Sequence, residues 1–301
     1  MWRLSCKQKI FDIYGVKVGG EPGLRPVVLI GSIFYHKHSI VLDESRGLFK
    51  EDEAKRLLDN QLELSQRTGN PCMVDVVAST PEAMRRYLEY VSDNTSIPIL
   101  LGGITDKVRI AGLDYVREAG IADRIIYNSV NPHSKDDELE AINKADVSAT
   151  ILLTFGPGII GWRHRVEAAD KFVEKLKGYG IDKILIDTGV LDVPSLGSAS
   201  MAIWSIKDRI GYPSGCGAHN AVASWKSLRR SMGREVRDLC GVSASILAIA
   251  AGADFILYGP IEYSTLVFPA VAMVDAALSQ VKLEDGSRVD RTHPRYRIGR
   301  I

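Results

Sequence analysis

The sequence has few cysteines and no long apolar run. Its 301 residues include four cysteines, Cys6, Cys72, Cys216 and Cys240, which show no C-x-x-C spacing and have no histidine pair nearby. This pattern excludes a structural zinc site and favours free thiols in a reducing compartment, so no metal is expected. No stretch approaches the ~18 uninterrupted apolar residues of a membrane-spanning helix, and residues 1–20 contain no apolar signal region. A cytoplasmic protein that is not integral to a membrane is expected.

Two further absences narrow the function. Lys and Arg total 38 against 37 Asp and Glu, a formal net charge of +1. No overall field therefore attracts the chain to nucleic acid, and no nucleic-acid partner is expected. No G-x-G-x-x-G follows an early strand, which argues against a doubly wound dinucleotide-binding sheet.

Eight short apolar runs, each followed by a segment of helical length, dominate the chain. They cover residues 27–35, 71–78, 97–103, 124–130, 149–155, 183–189, 212–218 and 254–260. Continuous apolar runs are typical of parallel strands that are buried on both faces. Eight such units in one chain of this size predict an α/β fold, a closed (β/α)8 TIM barrel.

Local signals for helix ends agree with this pattern. Ser79-Thr80-Pro81-Glu82 offers a cap and an early proline before one helix, and Thr105 opens another that ends at Gly120. Residues 1–22 include IFDIYGVKVGG, which predicts a hairpin that plugs the barrel bottom. Residues 283–301 form a basic, turn-rich tail. Neither segment suggests a second domain, so residues 1–301 are expected to form one.

Polar residues at the ends of the predicted strands are the candidate site. In TIM barrels the working side chains stand at the carboxyl ends of the strands. Here these are Asp75, Asn128, Asp187, His219 and Asn220. Singly, Asp187 is best explained as a cap and Asn128 as a turn residue, because those are the common roles of Asp and Asn. Together they converge on one barrel mouth and indicate a flat ligand that forms hydrogen bonds.

Four ordered blocks carry a more specific resemblance. GNPCMVDVVASTPEAM, IIYNSVN, LIDTGV and GCGAHNAVASW closely resemble the MtrH family of tetrahydromethanopterin S-methyltransferases and its soluble MtgA-type relatives, the corrinoid protein:tetrahydrofolate methyltransferases. The match runs from about Gly15 to about residue 280. More distantly, the pieces are similar to the pterin-binding barrels of methyltetrahydrofolate methyltransferases and dihydropteroate synthases. The resemblance implies a pterin-binding TIM barrel.

The resemblance also implies roles for single residues. Asp187 would pair with the pterin's ring N–H and amino group, Asn128 and Ser129 would bind another edge of the ring, and Asn220 would face the reactive N5. Pterin barrels commonly have Asp-Ser at the end of strand three, where this sequence has Gly102-Gly103. Either Asp75, one strand earlier, substitutes for that carboxylate, or the second carboxylate contact to the pterin is lost. His219 could relay a proton, although a packed histidine is the commoner case.

Other segments are candidates for contacting a partner. FGPGIIGWRHR (155–165) has three glycines and predicts a mobile lid whose Trp162, Arg163, His164 and Arg165 contact a corrinoid or its carrier; a solvated helix start explains them equally well. The basic runs at 228–237 and in the tail could bind an acidic carrier or a folate glutamate tail, or simply confer solubility.

The function implied is methyl transfer from a methylcobalamin-carrying corrinoid protein to N5 of tetrahydrofolate. The alternative is the same reaction with tetrahydromethanopterin, and a second alternative is a non-catalytic subunit that binds the corrinoid protein. Tetrahydrofolate is preferred because the strand-three Asp and any membrane-tethering segment are missing. An aldol-type barrel is disfavoured because no lysine ends a predicted strand. Pairing through outer helices predicts a homodimer.

Overall fold

The computed structural model describes residues 4–300, so positions 1–3 and 301 of the expected single domain lie outside the described residues. Eight parallel strands close into a barrel in chain order. The barrel strands are β3 (Val28–Ile33), β6 (Cys72–Ala78), β7 (Ile99–Gly103), β8 (Ile125–Val130), β9 (Ala149–Leu153), β10 (Lys183–Asp187), β11 (Ser214–Cys216) and β12 (Phe255–Pro260). A hairpin of β1 (Ile10–Ile13) and β2 (Val16–Gly19) precedes them. A small antiparallel pair, β4 (Val41–Asp43) and β5 (Leu48–Phe49), follows β3. All eight predicted strands are confirmed.

Helices cover the outside of the barrel between these strands. They are α1 (Glu51–Thr68), α2 (Pro81–Asn94), α3 (Asp106–Ala119), α4 (Asp136–Lys144), α5 (Trp162–Gly178), α6 (Val193–Arg209), α7 (His219–Ser224), α8 (Leu228–Ala250) and α9 (Ser264–Glu284). The predicted helix signals are correct. The Thr80 side chain accepts the Ala83 N–H, the Thr105 side chain accepts the Val108 N–H, and Gly120 ends α3 in the left-handed conformation.

The N-terminal hairpin closes the bottom of the barrel, as the sequence predicts. Ile13 and Val18 are fully buried and pack in one apolar cluster with barrel-interior residues such as Ile30, Leu100 and Phe255. Burying these side chains removes apolar surface from water and fills the barrel at the amino ends of its strands. The ligand space is therefore restricted to the opposite end.

The basic C-terminal tail lies at that same closed end. Arg297 donates to the Gln66 carbonyl at 2.7 Å, and a Cβ on Gly69 would lie 2.3 Å from the Thr292 carbonyl oxygen. Residues 66–69 end α1 and precede β6, so they mark the amino ends of the strands. The tail arginines therefore cannot reach a ligand tail in the mouth, and the suggestion that they bind a folate glutamate chain is wrong.

One segment, Ile261–Glu284, is long and apolar enough to cross a membrane by length and composition alone. It contains α9, which covers the eighth barrel strand. Phe268 and Val271 of this helix are fully buried in the core shared with β12. Packing as a barrel helix thus accounts for part of the apolar character of α9, while Leu266 and Met273 of the same helix are exposed.

A buried ion pair joins the N-terminal hairpin, which we call the plug (residues 10–20), to the barrel wall. Lys207, 1% exposed, donates to both Asp254 carboxylate oxygens at 2.7 and 2.8 Å and to the Gly20 carbonyl at 2.9 Å. Asp254 also accepts the Ser214 N–H. The pair connects α6, the start of β12 and the last residue of the plug. Removing one partner would leave an uncompensated buried charge.

We therefore expect Lys207→Met to lower the free energy of unfolding by about 3–5 kcal/mol, because Asp254 loses its counter-ion. Urea denaturation measures the change. Lys171→Met, on the exposed face of α5, is the matched control and should leave stability essentially unchanged. Equal stability of the Lys207 variant and the control would show that the pair does not hold the plug.

Candidate functional site

A large cavity opens at the carboxyl ends of the barrel strands. Its volume is about 540 Å³, within the range of sites for small organic ligands. Apolar side chains such as Val77, Leu153, Phe155 and Leu257 form much of its wall. Its polar lining includes all five of the expected strand-end residues, together with Ser129. These residues are Asp75, Asn128, Ser129, Asp187, His219 and Asn220. The structure thus brings these candidates together.

Asp75 is held at the floor of the cavity by residues from two other strands. The Ser32 hydroxyl donates to one carboxylate oxygen at 2.8 Å and the Asn128 amide donates to the other at 2.9 Å. Asp75 is only 5% exposed, and this burial raises the pKa of its carboxyl, against the lowering effect of the two donors. The carbonyl oxygen of Asn128 accepts no hydrogen bond within residues 4–300 and remains free for a ligand donor.

Gly102 makes room for this carboxylate. A Cβ at Gly102 would lie 2.5 Å from Asp75 Oδ1 and 3.0 Å from the Val76 carbonyl oxygen. Asp75 therefore occupies the space where a side chain of the third barrel strand would stand. Neither Gly102 nor Gly103 lines the cavity itself, and the Gly103 carbonyl accepts a hydrogen bond from Arg109. The Asp75 carboxylate of the second strand thus lies beside the strand-three position at which the resembled pterin barrels have an acid.

Asp187 stands at the end of β10, on another side of the cavity. Its Oδ1 accepts the Gly189 N–H at 2.7 Å, so the capping role suggested by the sequence is present as well. Burial raises the pKa of Asp187 to about 6, although the Gly189 N–H and the charge of Arg165 lower it in part. The carboxylate is thus ionised at neutral pH and can accept from ring N–H donors.

Asn220 and His219 open the short helix α7 at the cavity wall. Asn220 is exposed, so its amide is free to meet a ligand. His219 Nδ1 lies 3.2 Å from the Leu257 carbonyl oxygen, and because a carbonyl only accepts, Nδ1 carries the hydrogen. Nε2 then has a lone pair and no partner in the described part of the chain. Burial lowers the pKa of His219, which favours this neutral form.

Arg165, at the end of the segment predicted to be a lid, is fixed by backbone carbonyls. Arg165 is fully buried and donates to the carbonyls of Ile160, Thr188 and Gly189, so its guanidinium fixes the loop after β10 and cannot contact a carrier. Arg163 is exposed and lies 4.3 Å from the centre of the Trp162 ring, but neither residue lines the cavity. Phe155 is the residue of this segment that does.

Several cavity residues escaped prediction from the sequence. They are Ser32, Tyr35, Arg237, Asp238 and Tyr263. Ser32 had a signal, since it is the polar residue inside an otherwise apolar strand. Arg237 was marked in the sequence only as the last residue of the basic run 228–237. Asp238 and Tyr263 lie on a helix and a turn, where polar and aromatic residues are common and carry no signal. Between residues 4 and 300 no group of three or more His, Cys, Asp or Glu is placed to hold a metal ion.

Sequence comparison identifies relatives along nearly the whole chain. The family model described as "Tetrahydromethanopterin S-methyltransferase MtrH subunit" matches residues 6–289. The corresponding tetrahydromethanopterin S-methyltransferase subunit of Methanothermobacter marburgensis is 40% identical over 309 residues, covering 99% of this chain and 100% of the relative. The same subunit of Methanocaldococcus jannaschii is 35% identical over 314 residues, with 98% of each chain covered.

Solved structures with the same fold are dihydropteroate synthases. The Yersinia pestis enzyme with a pterine-sulfa conjugate has a TM-score of 0.63 at 14% identity, covering 90% of this chain and 100% of that one. The Xanthomonas albilineans enzyme in complex with 7,8-dihydropteroate has a TM-score of 0.59 at 17% identity, covering 89% and 98%. At such identities the likeness shows the (β/α)8 fold alone. The family match decides the assignment: this chain belongs to the tetrahydromethanopterin S-methyltransferase MtrH subunit family and is a methyltransferase with a TIM-barrel fold.

Proposed function

We propose that this protein transfers a methyl group from a methylated corrinoid, held by a partner protein, to N5 of tetrahydromethanopterin. The pterin named for the MtrH-family relatives supports this substrate over tetrahydrofolate. The preference for tetrahydrofolate rested partly on the missing strand-three acid, and the Asp75 carboxylate lies beside that position. That reason therefore no longer holds, and the tetrahydromethanopterin alternative becomes the main proposal.

One observation carries the proposal: two carboxylates and an amide, those of Asp75, Asp187 and Asn128, line one partly apolar cavity. Asp187 accepts from the pterin's ring N–H and amino group, because an ionised carboxylate can accept two such donors side by side. Asn128 offers its free carbonyl oxygen to another ring donor, with its amide fixed on Asp75. Apolar residues such as Val77 and Leu153 then cover the faces of the ring. The binding energy comes from preorganised hydrogen bonds and burial of a flat ring.

The reaction requires the exchange of one bond and one proton. The lone pair of N5 forms the new bond to the methyl carbon, the electron pair of the broken carbon–cobalt bond stays on cobalt, which is thereby reduced by two electrons, and N5 loses its hydrogen as a proton. Asn220 cannot take that proton, because an amide does not titrate, but it can orient N5 through a hydrogen bond. His219 lies beside it with Nε2 free, and we assign to it the role of proton acceptor.

The open mouth suits a large partner, and the outside of the barrel suits a second copy. The cavity opens at the rim, so a protein-bound corrinoid can approach N5 in line from above. On the outer helices, large apolar residues are exposed on α8 and α9, among them Leu239 (67%) and Met273 (58%). These faces support the homodimer as a proposal, since exposed apolar surface of this kind marks association sites.

The pH dependence of pterin binding tests Asp187. Because the pKa of Asp187 is about 6, a pterin that needs the carboxylate should bind about tenfold more weakly for each pH unit below that value. Affinity is measured by calorimetry from about pH 5 to about pH 8. Asp187→Asn should bind weakly at every pH and lose the inflection. His219→Gln is the control and should keep it; an inflection that disappears with His219 instead would reassign the titrating group.

Replacement of Asn220 tests the orientation of N5. Asn220→Ala should slow methyl transfer by about 10²-fold, since a positioned transition-state donor is lost, while pterin affinity changes little. Single-turnover kinetics with methylcobalamin measures the rate. Ser224→Ala, at the end of the same helix α7 and outside the cavity lining, is the matched control. A rate equal to that of the control would remove Asn220 from the mechanism.

The first experiment on the function itself is calorimetric titration with tetrahydromethanopterin and, separately, tetrahydrofolate. A spectroscopic assay with free methylcobalamin and the bound pterin follows the formation of reduced cobalt. We expect binding of tetrahydromethanopterin and turnover. Turnover only with tetrahydrofolate would restore the folate alternative. Binding of neither pterin would favour the non-catalytic alternative.

A further inference from the structure

A second cavity adjoins the first at the mouth of the barrel. Its volume is about 570 Å³, and we call it the outer groove; it is lined by Tyr35, Arg234, Glu235, Arg237, Asp238, Pro260, Glu262, Tyr263, Thr265 and Leu266. Six of these residues also line the main cavity, namely Tyr35, Arg237, Asp238, Pro260, Tyr263 and Leu266. The two spaces therefore form one continuous site, of which the pterin ring would fill only the inner part.

The outer groove lies on the far side of the mouth from Asn128. Its residues come from three places: the loop after β3, the helix α8 and the segment after β12. β3 is the first barrel strand, β12 is the eighth, and α8 directly precedes β12. Asn128 is on the fourth strand, half-way round the closed barrel. A pterin ring whose edge meets Asn128 therefore directs its substituent across the mouth, towards the groove.

Two tyrosines stand at the junction, and each is fixed by a charged partner. Tyr35 donates to Glu262 Oε1 at 3.1 Å and stacks on His38 with ring centres 4.3 Å apart. The buried His38 accepts the Phe34 N–H at Nδ1, so its Nε2 carries a hydrogen and donates to the same Glu262 oxygen. On the other side, Arg237 donates to the Tyr263 hydroxyl. Such rings offer a rigid passage for an aryl group.

Beyond the tyrosines the groove carries charges of both signs. Its walls bear three carboxylates, Glu235, Asp238 and Glu262, and two guanidiniums, Arg234 and Arg237. Asp238 Oδ1 is buried and accepts no hydrogen bond from any described residue. The nearest cations are only loosely paired with Asp238, with N···O distances of 3.5 Å from Arg234 and 3.7 Å from Arg237. This carboxylate oxygen can accept a hydrogen bond from a ligand that enters the groove.

We propose that the outer groove is the subsite for a polyhydroxylated pterin tail and that its carboxylates select against a glutamyl tail. Hydroxyl groups both donate and accept, so a polyol satisfies Asp238, Glu235 and the guanidiniums together. The tail of tetrahydromethanopterin places a polyol directly after its arylamine ring. Folate places glutamate carboxylates there, next to three carboxylates of the groove. Like charges at short range oppose binding and create specificity.

This inference rests on the proposed function, because it requires the ring to bind in the main cavity. Calorimetry with three ligands separates the two ideas: a tetrahydropterin that carries only a methyl group at C6, tetrahydromethanopterin, and tetrahydrofolate triglutamate. The variant is Glu235→Gln combined with Glu262→Gln, two residues that line the outer groove and not the main cavity; it removes two charges and keeps the side-chain shapes. Glu284→Gln combined with Asp285→Asn makes the same change in charge at the end of α9, outside both cavities.

The groove variant should bind the tailless pterin as the wild type does. It should bind tetrahydromethanopterin about tenfold more weakly, because hydrogen bonds to charged groups are lost. It should bind the triglutamate about threefold more tightly, and this gain should shrink at high salt, as expected for partly exposed charges. The control variant should match the wild type for all three ligands.

Each other outcome has a defined meaning. If the groove variant loses affinity for the tailless pterin as strongly as for tetrahydromethanopterin, the groove residues act on the ring site and the tail subsite is refuted. The same holds if the variant binds both tailed ligands as the wild type does. If the folded wild type, verified by thermal melting, binds none of the three pterins, the proposed function fails and this subsite fails with it.

Discussion

The Asp75 carboxylate is the interaction around which the site is built. It joins four consecutive barrel strands: Ser32 on β3 donates to it, β6 carries it, Gly102 on β7 leaves space for it, and Asn128 on β8 donates to it. A buried carboxylate without these partners would cost several kcal/mol. The same two hydrogen bonds fix the orientation of the Asn128 amide, so the polar floor of the cavity is set before any ligand enters.

The site changes in character from its floor to its rim. Around Asp75 and Asn128 the polar groups are buried and bonded to one another, which favours a flat ligand with a fixed orientation. At the rim, Asn220 and Glu262 are exposed, and one carboxylate oxygen of Asp238 accepts no hydrogen bond from residues 4–300. A rigid inner end and a wetter outer end suit a substrate whose reactive ring must be held while its tail and a second reactant approach from solvent.

Much of the fold could be predicted because its signals are local. Continuous apolar runs located all eight strands, and Thr80, Thr105 and Gly120 marked helix ends, since caps depend on neighbouring backbone groups. The roles of charged residues were harder to predict. Arg165 reads as a surface residue in a basic segment, yet it is fully buried because three backbone carbonyls converge on its guanidinium. The tail arginines lie at the closed end, since α9 runs back from the mouth to the amino ends of the strands.

The sequence by itself determined the number and order of the strands, the hairpin and the polar residues at the strand ends, because each depends on composition and periodicity within a short segment. Only the tertiary structure decided that Asp75 stands in the space left by Gly102, and that Tyr35 meets Glu262 while Arg237 meets Tyr263. Tyr35 and Glu262 are separated by 227 positions in the chain. Closure of the barrel brings the first and eighth strands together, and no local pattern encodes which side chains then meet.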